Sequence, residues 1–328
     1  RLTSVVCHSL SDVPDIIDTW NEGKVVDIEG YYENAKINRV YVDRVHVKKA
    51  FAEYTAAYNA DDPKIKLKID HTYRVAALCE RIAKAAGMCA YDVELAWLSG
   101  MLHDVGRFEQ IKRYNTFSDA DSVDHAKFGA DLLFKDGLIS TFLKGMVKCT
   151  GYKPGALEDR YDSDGVFLYD RLNKSDMEML ELAIRCHNMY RIPQGLNCRE
   201  QAFCNVLRDA DKVDIFKVNI DTPLEEIYNT TTEELMKSDI TDEVLEAFDE
   251  EHCILKAIRR TPADTVIGHV SLAYELVYDE SVRITVEQGY LAKLMHFHSD
   301  NEETNRKMAM VREKMDSYVK KRIVEKDA

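Results

Sequence analysis

Residues 95–110 read LAWLSGMLHDVGRFEQ, a greasy helical run that ends in His103–Asp104 and is followed by Gly106 and Arg107. Val93, Trp97, Gly100 and Asp104 recur at three- and four-residue spacing, which puts a carboxylate on the apolar line of a helix. Burying that charge is costly unless a cation or a donor meets it. The same arrangement recurs elsewhere in the chain. His71 heads a stripe with Val75, Leu78 and Ile82, and His125 leads Phe128, Gly129 and Leu132. His187 ends the stripe Leu180 and Ala183, while Asp211 lines up with Cys204, Leu207 and Ile215. One buried histidine is usually a satisfied core residue. Polar residues at core positions on five separate helices form a pattern, because imidazoles and carboxylates converging on a bundle axis are what a metal site between helices requires. A pair of divalent ions could use His71, His103, Asp104, His125, His187 and Asp211 together, with one Asp bridging. Four neutral imidazoles favour Mn, Fe, Co, Ni or Zn over Mg, so the expected cofactor is one or two divalent transition metals.

Working outward, the 328-residue chain is long enough for a sizeable core, and its 45% hydrophobic content is ordinary for a soluble protein. Its longest apolar runs fall short of the roughly 20 residues that a membrane span needs, and no signal segment is evident. Eight cysteines are scattered without a CxxC pair, which suits reduced thiols. A cytoplasmic protein with no membrane partner is the expectation. The formal charge of −14 argues against broad nucleic-acid binding, since phosphate backbones would meet a repelling field. A small phosphorylated ligand would instead need a local basic cluster.

Apolar positions at helical spacing run from about residue 48 to the end, so the fold is expected to be all-α, a helical bundle with an N-terminal arm and extra C-terminal helices. The arm covers residues 1–47 and mixes aromatic with β-branched residues that would suit a short strand. The bundle domain covers 48–220, and a C-terminal helical extension, 221–328, packs on it. Its last stretch reads as a long amphipathic helix that would suit a homodimer without requiring one. A Gly-, Asp- and Lys-rich zone over about 150–173 is expected to be a long loop.

The segments IDHTYRVAALCERIAKAAG, LAWLSGMLHDVGRFEQ, DHAKFGADLLF, LAIRCHNMYRIP and VLRDADKVDIFKV resemble the successive motifs of the HD-domain superfamily of metal-dependent phosphohydrolases, over about residues 50 to 220. The resemblance implies an all-α fold with metals held among the helices. It also implies that His71, His103, Asp104 and Asp211 hold one metal, and that Asp104, His125 and His187 hold a second. Two branches fit less well. Hydrolases of cyclic dinucleotides often carry His-His and Gly-Tyr-Pro near the fourth ligand, where this chain has Cys186–His187 and NMYRIP. Alarmone hydrolases typically follow His-Asp with an acidic pair, where this chain has Gly106–Arg107–Phe108.

The chemistry expected is hydrolysis of a phosphomonoester or phosphodiester of a nucleotide or small metabolite, since a metal pair lowers the pKa of water and clamps phosphate oxygens. Asp104 is the expected bridge and orients the attacking water. Arg107 is the first candidate for a phosphate contact, because Gly106 is expected to end the helix and free it to turn inward. Lys212 is the second, and Arg74, Arg191, Arg208 and the KIKLK run with Lys64, Lys66 and Lys68 add positive charge. Glu109, Gln110, Asp119 and Asp121 are expected to be polar loop residues, with Asp121 or Ser122 as an N-cap before His125. Cys186 is expected to be a buried structural thiol. The same ligand set resembles that of the mixed-valent di-iron oxygenases of the HD fold, which is the alternative enzymatic reading. A non-catalytic nucleotide sensor is the third.

Overall fold

The computed structural model describes residues 42–59, 61–143, 174–228 and 230–324, and every regular element among them is a helix, as the all-α reading requires. α1 (Arg44–Thr55) starts inside the segment expected to be an arm, with the Asp43 carboxylate accepting from the Val45 and His46 N–H groups. α2 (Pro63–Ala85) opens on Asp62 as N-cap with Pro63 in its first turn, where the missing N–H costs no helical bond. Its buried face carries His71, Val75, Leu78 and Ile82, the stripe read from the spacing. α3 (Ala90–Leu102) is buried on nearly every side, which makes it the central helix. It lies so close to α2 that a Cβ on Gly100 would fall 2.7 Å from the Ala76 Cα.

The chain turns at His103–Asp104 and resumes as α4 (Val105–Tyr114). Gly106 therefore does not end a helix; it sits in the first turn of α4. A Cβ there would fall 2.4 Å from the His125 carbonyl oxygen and 2.7 Å from the Gly129 nitrogen, so the glycine's use is close packing. Its partner is α5 (His125–Ala130), which runs on into a π-turn over Asp131–Lys135. The N-cap of α5 is Asp124, which accepts from the Lys127 N–H; neither Asp121 nor Ser122 has that place. α6 (Ile139–Leu143) packs back on α1. The loop expected over 150–173 and the segment before Val42 lie outside the described residues.

α7 (Lys174–Cys186) and α8 (Cys198–Asp221) complete the bundle. Asn197 and Glu200 form a capping box that fixes where α8 begins. α8 lies against α2, α3 and α7, and this brings its middle turns to the His71 face of α2. A second core surrounds Phe216, Phe248, Ile267, Tyr274, Leu291 and Met308. It is built from α9 (Leu224–Tyr228), α10 (Thr232–Lys237), α11 (Asp242–Asp249), α12 (Pro262–Val270), α14 (Tyr290–Met295) and α15 (Glu302–Val324), while α13 (Asp279–Gln288) places Val282 and Ile284 in the first core. α8 belongs to both cores, with Cys204 and Leu207 in the first and Phe216 in the second. No helix among the described residues is long and apolar enough to cross a membrane.

Candidate metal centre

Four imidazoles and two carboxylates meet where α2, α3, α5, α7 and α8 converge. His71 comes from α2, His103 and Asp104 from the turn after α3, His125 from the first turn of α5, His187 from the end of α7, and Asp211 from α8. His71, His103, Asp104, His125 and His187 are each no more than 4% exposed, which only partnered polar groups tolerate. The Nε2 atoms of His71 and His103 are 3.3 Å apart, and those of His125 and His187 are 3.0 Å apart. Asp104 lies between the two pairs and divides its oxygens. Its Oδ2 is 3.5 Å from both His71 Nε2 and His103 Nε2, while its Oδ1 is 3.6 Å from His125 Nε2 and 3.8 Å from His187 Nε2. Asp211 closes the first pair, with Oδ1 at 3.1 Å from His71 Nε2 and 3.8 Å from His103 Nε2.

The far nitrogens decide which tautomer each ring has. His103 Nδ1 lies 2.8 Å from the Gly100 carbonyl oxygen and His187 Nδ1 lies 2.7 Å from that of Ile184. His71 Nδ1 lies 2.6 Å from Asp214 Oδ2, and His125 Nδ1 lies 2.7 Å from Asp119 Oδ2. Carbonyls and ionised carboxylates only accept, so every Nδ1 carries the proton and donates. In the neutral rings of His103, His125 and His187 the Nε2 lone pairs are then bare, and those of His125 and His187 face one another across the centre. Two bare lone pairs at that spacing repel unless they share a cation. The donor set of imidazole nitrogens and carboxylate oxygens, each ring steadied from behind, is the one that borderline divalent metals take.

Charge follows the same division. Burial, with the Arg107 charge adding to it, pushes the His125 imidazole down to about 4. Burial does the same to His187, also to about 4, and lowers His103. These rings therefore stay neutral. His71 goes the other way: burial and Lys68 lower its basicity, but the Asp211 and Asp214 carboxylates on its two nitrogens outweigh them. Burial disfavours ionised Asp104, yet the neighbouring Lys68, His103, His125 and Arg107 hold it well below the usual carboxylate range. Asp211 is held low as well: burial opposes this, and the hydrogen bond with His71 overcomes it.

The expected cations fall in different places. Arg107 directs Nη1 to Gln110 Oε1, the Phe117 carbonyl and Asp119 Oδ1, at 2.7, 2.7 and 2.9 Å, while its buried Nε has no hydrogen bond among the described residues and lies 3.7 Å from Asp104 Oδ1. Arg74 clamps Asp214 through Nε at 2.6 Å and Nη2 at 2.9 Å, behind His71. Lys212 is buried near Arg208 and Asp209, and its ammonium makes no hydrogen bond among the described residues. Arg191 is exposed, rests on the Tyr190 ring and lines a separate cleft with Arg208 and Glu275. Cys186 is buried, and burial raises its thiol pKa, so no thiolate is available there. Three contacts had gone unread in the sequence: Asp119 behind His125, Asp214 behind His71, and Lys68, whose Nζ is 2.7 Å from Asp104 Oδ2.

Residues 69–216 match the family model of the HD domain. Comparison with curated proteins and with solved structures finds no match to the chain. The matched span begins just before His71 and ends just after Asp211, so it encloses the whole cluster of imidazoles and carboxylates described above. Residues 69–216 thus match an HD domain, an all-helical fold, and the match suggests the superfamily of metal-dependent phosphohydrolases.

Proposed function

We propose that this protein is a metal-dependent phosphohydrolase that acts on a nucleotide or another small phosphorylated metabolite at a two-cation centre. The observation that carries the reading is the division of Asp104: one oxygen turns to the His71–His103 pair and the other to the His125–His187 pair. His71, His103, Asp104 and Asp211 would hold one ion, and Asp104, His125 and His187 the other. Divalent ions held there would lower the pKa of a water and neutralise charge growing on a phosphoryl group. The chain's own residues orient and steady that chemistry. Asp214, itself fixed by Arg74, keeps His71 in the Nδ1–H form, and Asp119 does the same for His125. Arg107 presents toward Asp104 Oδ1 an Nε with no hydrogen bond among the described residues, which makes it the better placed of the two expected phosphate contacts, because Lys212 is enclosed beside Arg208 and Asp209. Asp211 is 16% exposed in its side chain against 2% for Asp104, so substrate would approach from the Asp211 side. The cysteines at 79, 89, 186, 198, 204 and 253 are unbridged, which suits a reducing compartment such as the cytoplasm.

The test is a panel of nucleotides and chromogenic phosphoesters supplied with Mn, with the natural protein beside Asp104→Asn. Turnover in the natural protein that is lost together with bound metal in the variant is expected. A natural protein that binds iron, consumes dioxygen and hydrolyses nothing would move the assignment to the oxygenases of the same fold.

A further inference from the structure

Lys68 stands one turn before His71 on α2, and its ammonium donates to Asp104 Oδ2 at 2.7 Å. That oxygen is the one facing the His71–His103 pair. Among the described residues no other Lys or Arg is hydrogen-bonded to Asp104 or Asp211; Arg107 comes no nearer than 3.7 Å. The position is built rather than incidental. The Lys68 side chain is 18% exposed against 2% for Asp104, so it reaches from solvent to the buried carboxylate. The Phe117 ring lies 5.5 Å from its ammonium, and the same ring meets the Arg107 guanidinium at 5.6 Å, so one aromatic residue seats both cations at the rim.

Two positive groups have a claim on Asp104 Oδ2: the Lys68 ammonium and a cation held by His71, His103 and Asp211. A carboxylate oxygen shared between them brings like charges within a few ångströms, so the two compete. A flexible four-carbon stem at the solvent boundary lets the ammonium yield by rotation while staying at the rim. Its natural next partner is an anionic oxygen resting on the centre. We infer that Lys68 binds the phosphoryl group of the substrate, and that its ammonium competes with the metal for Asp104 Oδ2. This rests on the phosphohydrolase reading above and names the anionic, phosphoryl end of the substrate as the part that Lys68 recognises.

The experiment is calorimetric titration of Mn into the natural protein, Lys68→Met and Lys68→Arg, then of inorganic phosphate into each Mn-loaded protein. Competition predicts that Lys68→Met binds Mn more tightly, by about 3- to 10-fold, because a cation next to the ligand oxygen has gone. Phosphate binding should weaken by about 10-fold or more in Lys68→Met and be largely kept in Lys68→Arg, since a charge-assisted bond is lost in one and retained in the other. A residue that merely steadied the fold would weaken both titrations together. Mn binding that is unchanged or weaker in Lys68→Met overturns the competition, and phosphate binding equal to that of the natural protein overturns the phosphate role. A natural Mn-loaded protein that holds no phosphate overturns the phosphohydrolase reading itself and the phosphate role with it, an outcome distinct from the other two.

Discussion

Asp119 sits on the loop before α5, and its leverage on the centre is indirect. One oxygen takes the His125 Nδ1 proton at 2.7 Å, and the other takes Arg107 Nη1 at 2.9 Å and the Gln110 amide at 3.0 Å. Burial would raise its pKa; the partners, His125 first, hold it far down, so it remains an acceptor at neutral pH. Replacing Asp119 with Ala should leave His125 without a fixed tautomer and lower Mn affinity by roughly 10- to 100-fold, the usual cost of losing a carboxylate behind a metal-binding imidazole. Calorimetric Mn titration of the variant checks this, and an unchanged affinity would remove Asp119 from the assembly. The same residue shows where sequence reading stops. Asp104, the four histidines and Asp211 stood out because each breaks an apolar line at helical spacing, and the structure brings all six together. Asp119 lies on a loop, where a polar residue is ordinary, while Lys68 and Asp214 stand one turn from His71 and Asp211 on lines already broken by a ligand; the roles of the three follow from contacts across 6, 36 and 143 positions of the chain.

At the scale of elements, α8 links the centre to the second core. Around Asp211 it carries Asp209 and Asp214; Asp211 and Asp214 both meet the His71 ring, at Nε2 and Nδ1, while Asp209 makes its contacts elsewhere. Asp214 turns to His71 and Arg74, while Asp209 accepts from the Val277 and Tyr278 N–H groups and from the Ser281 hydroxyl, where α13 begins. Burial raises the Asp209 pKa even against those donors. The group is nonetheless tied on every side, and truncating it would strand buried donors. Asp209→Ala should therefore cost about 2–4 kcal/mol of unfolding free energy, the price of leaving more than one buried donor without its acceptor. Urea melts would measure it, and a loss under about 0.5 kcal/mol, the range of ordinary surface substitutions, would mean that water replaces the carboxylate. In the sequence RDADKVD only one of these aspartates was assigned a task, since spacing identifies a face and says nothing of what arrives opposite it. The α3–α4 break was misplaced for a related reason. Gly106 looks like a helix terminator, yet its missing side chain serves the approach of α5.

Over the whole molecule, the all-helical architecture was legible because the 3.6-residue period persists along the chain, and the order of the ligand-bearing helices was legible with it. The sequence identifies the stretch that forms the second core only as a C-terminal helical extension. Its interior contains a polar group that no spacing rule flagged. His269, on α12, has its ring 5.6 Å from that of Tyr228, and its Nδ1 is shut off from water without a hydrogen bond among the described residues. Burial lowers its pKa from the ordinary 6.5 to about 3, and the Arg259 and Lys256 charges push the same way. The folded protein therefore keeps this ring neutral, whereas the unfolded chain takes up a proton near its ordinary value. Between those limits the unfolded state holds more protons, so the stability His269 allows is complete above 6.5 and drains away as pH falls toward about 3. Part of the residue reaches solvent, which moderates the effect. Going from about pH 7 to about pH 5, the natural protein should lose roughly 1–2 kcal/mol more unfolding free energy than His269→Gln. Urea melts of the two proteins at both pH values, with equal metal content, isolate this term, because the imidazoles and carboxylates of the HD domain titrate identically in each. Equal losses in the two proteins would mean that His269 reaches a proton in the folded state, and that the second core opens to water at mildly acidic pH.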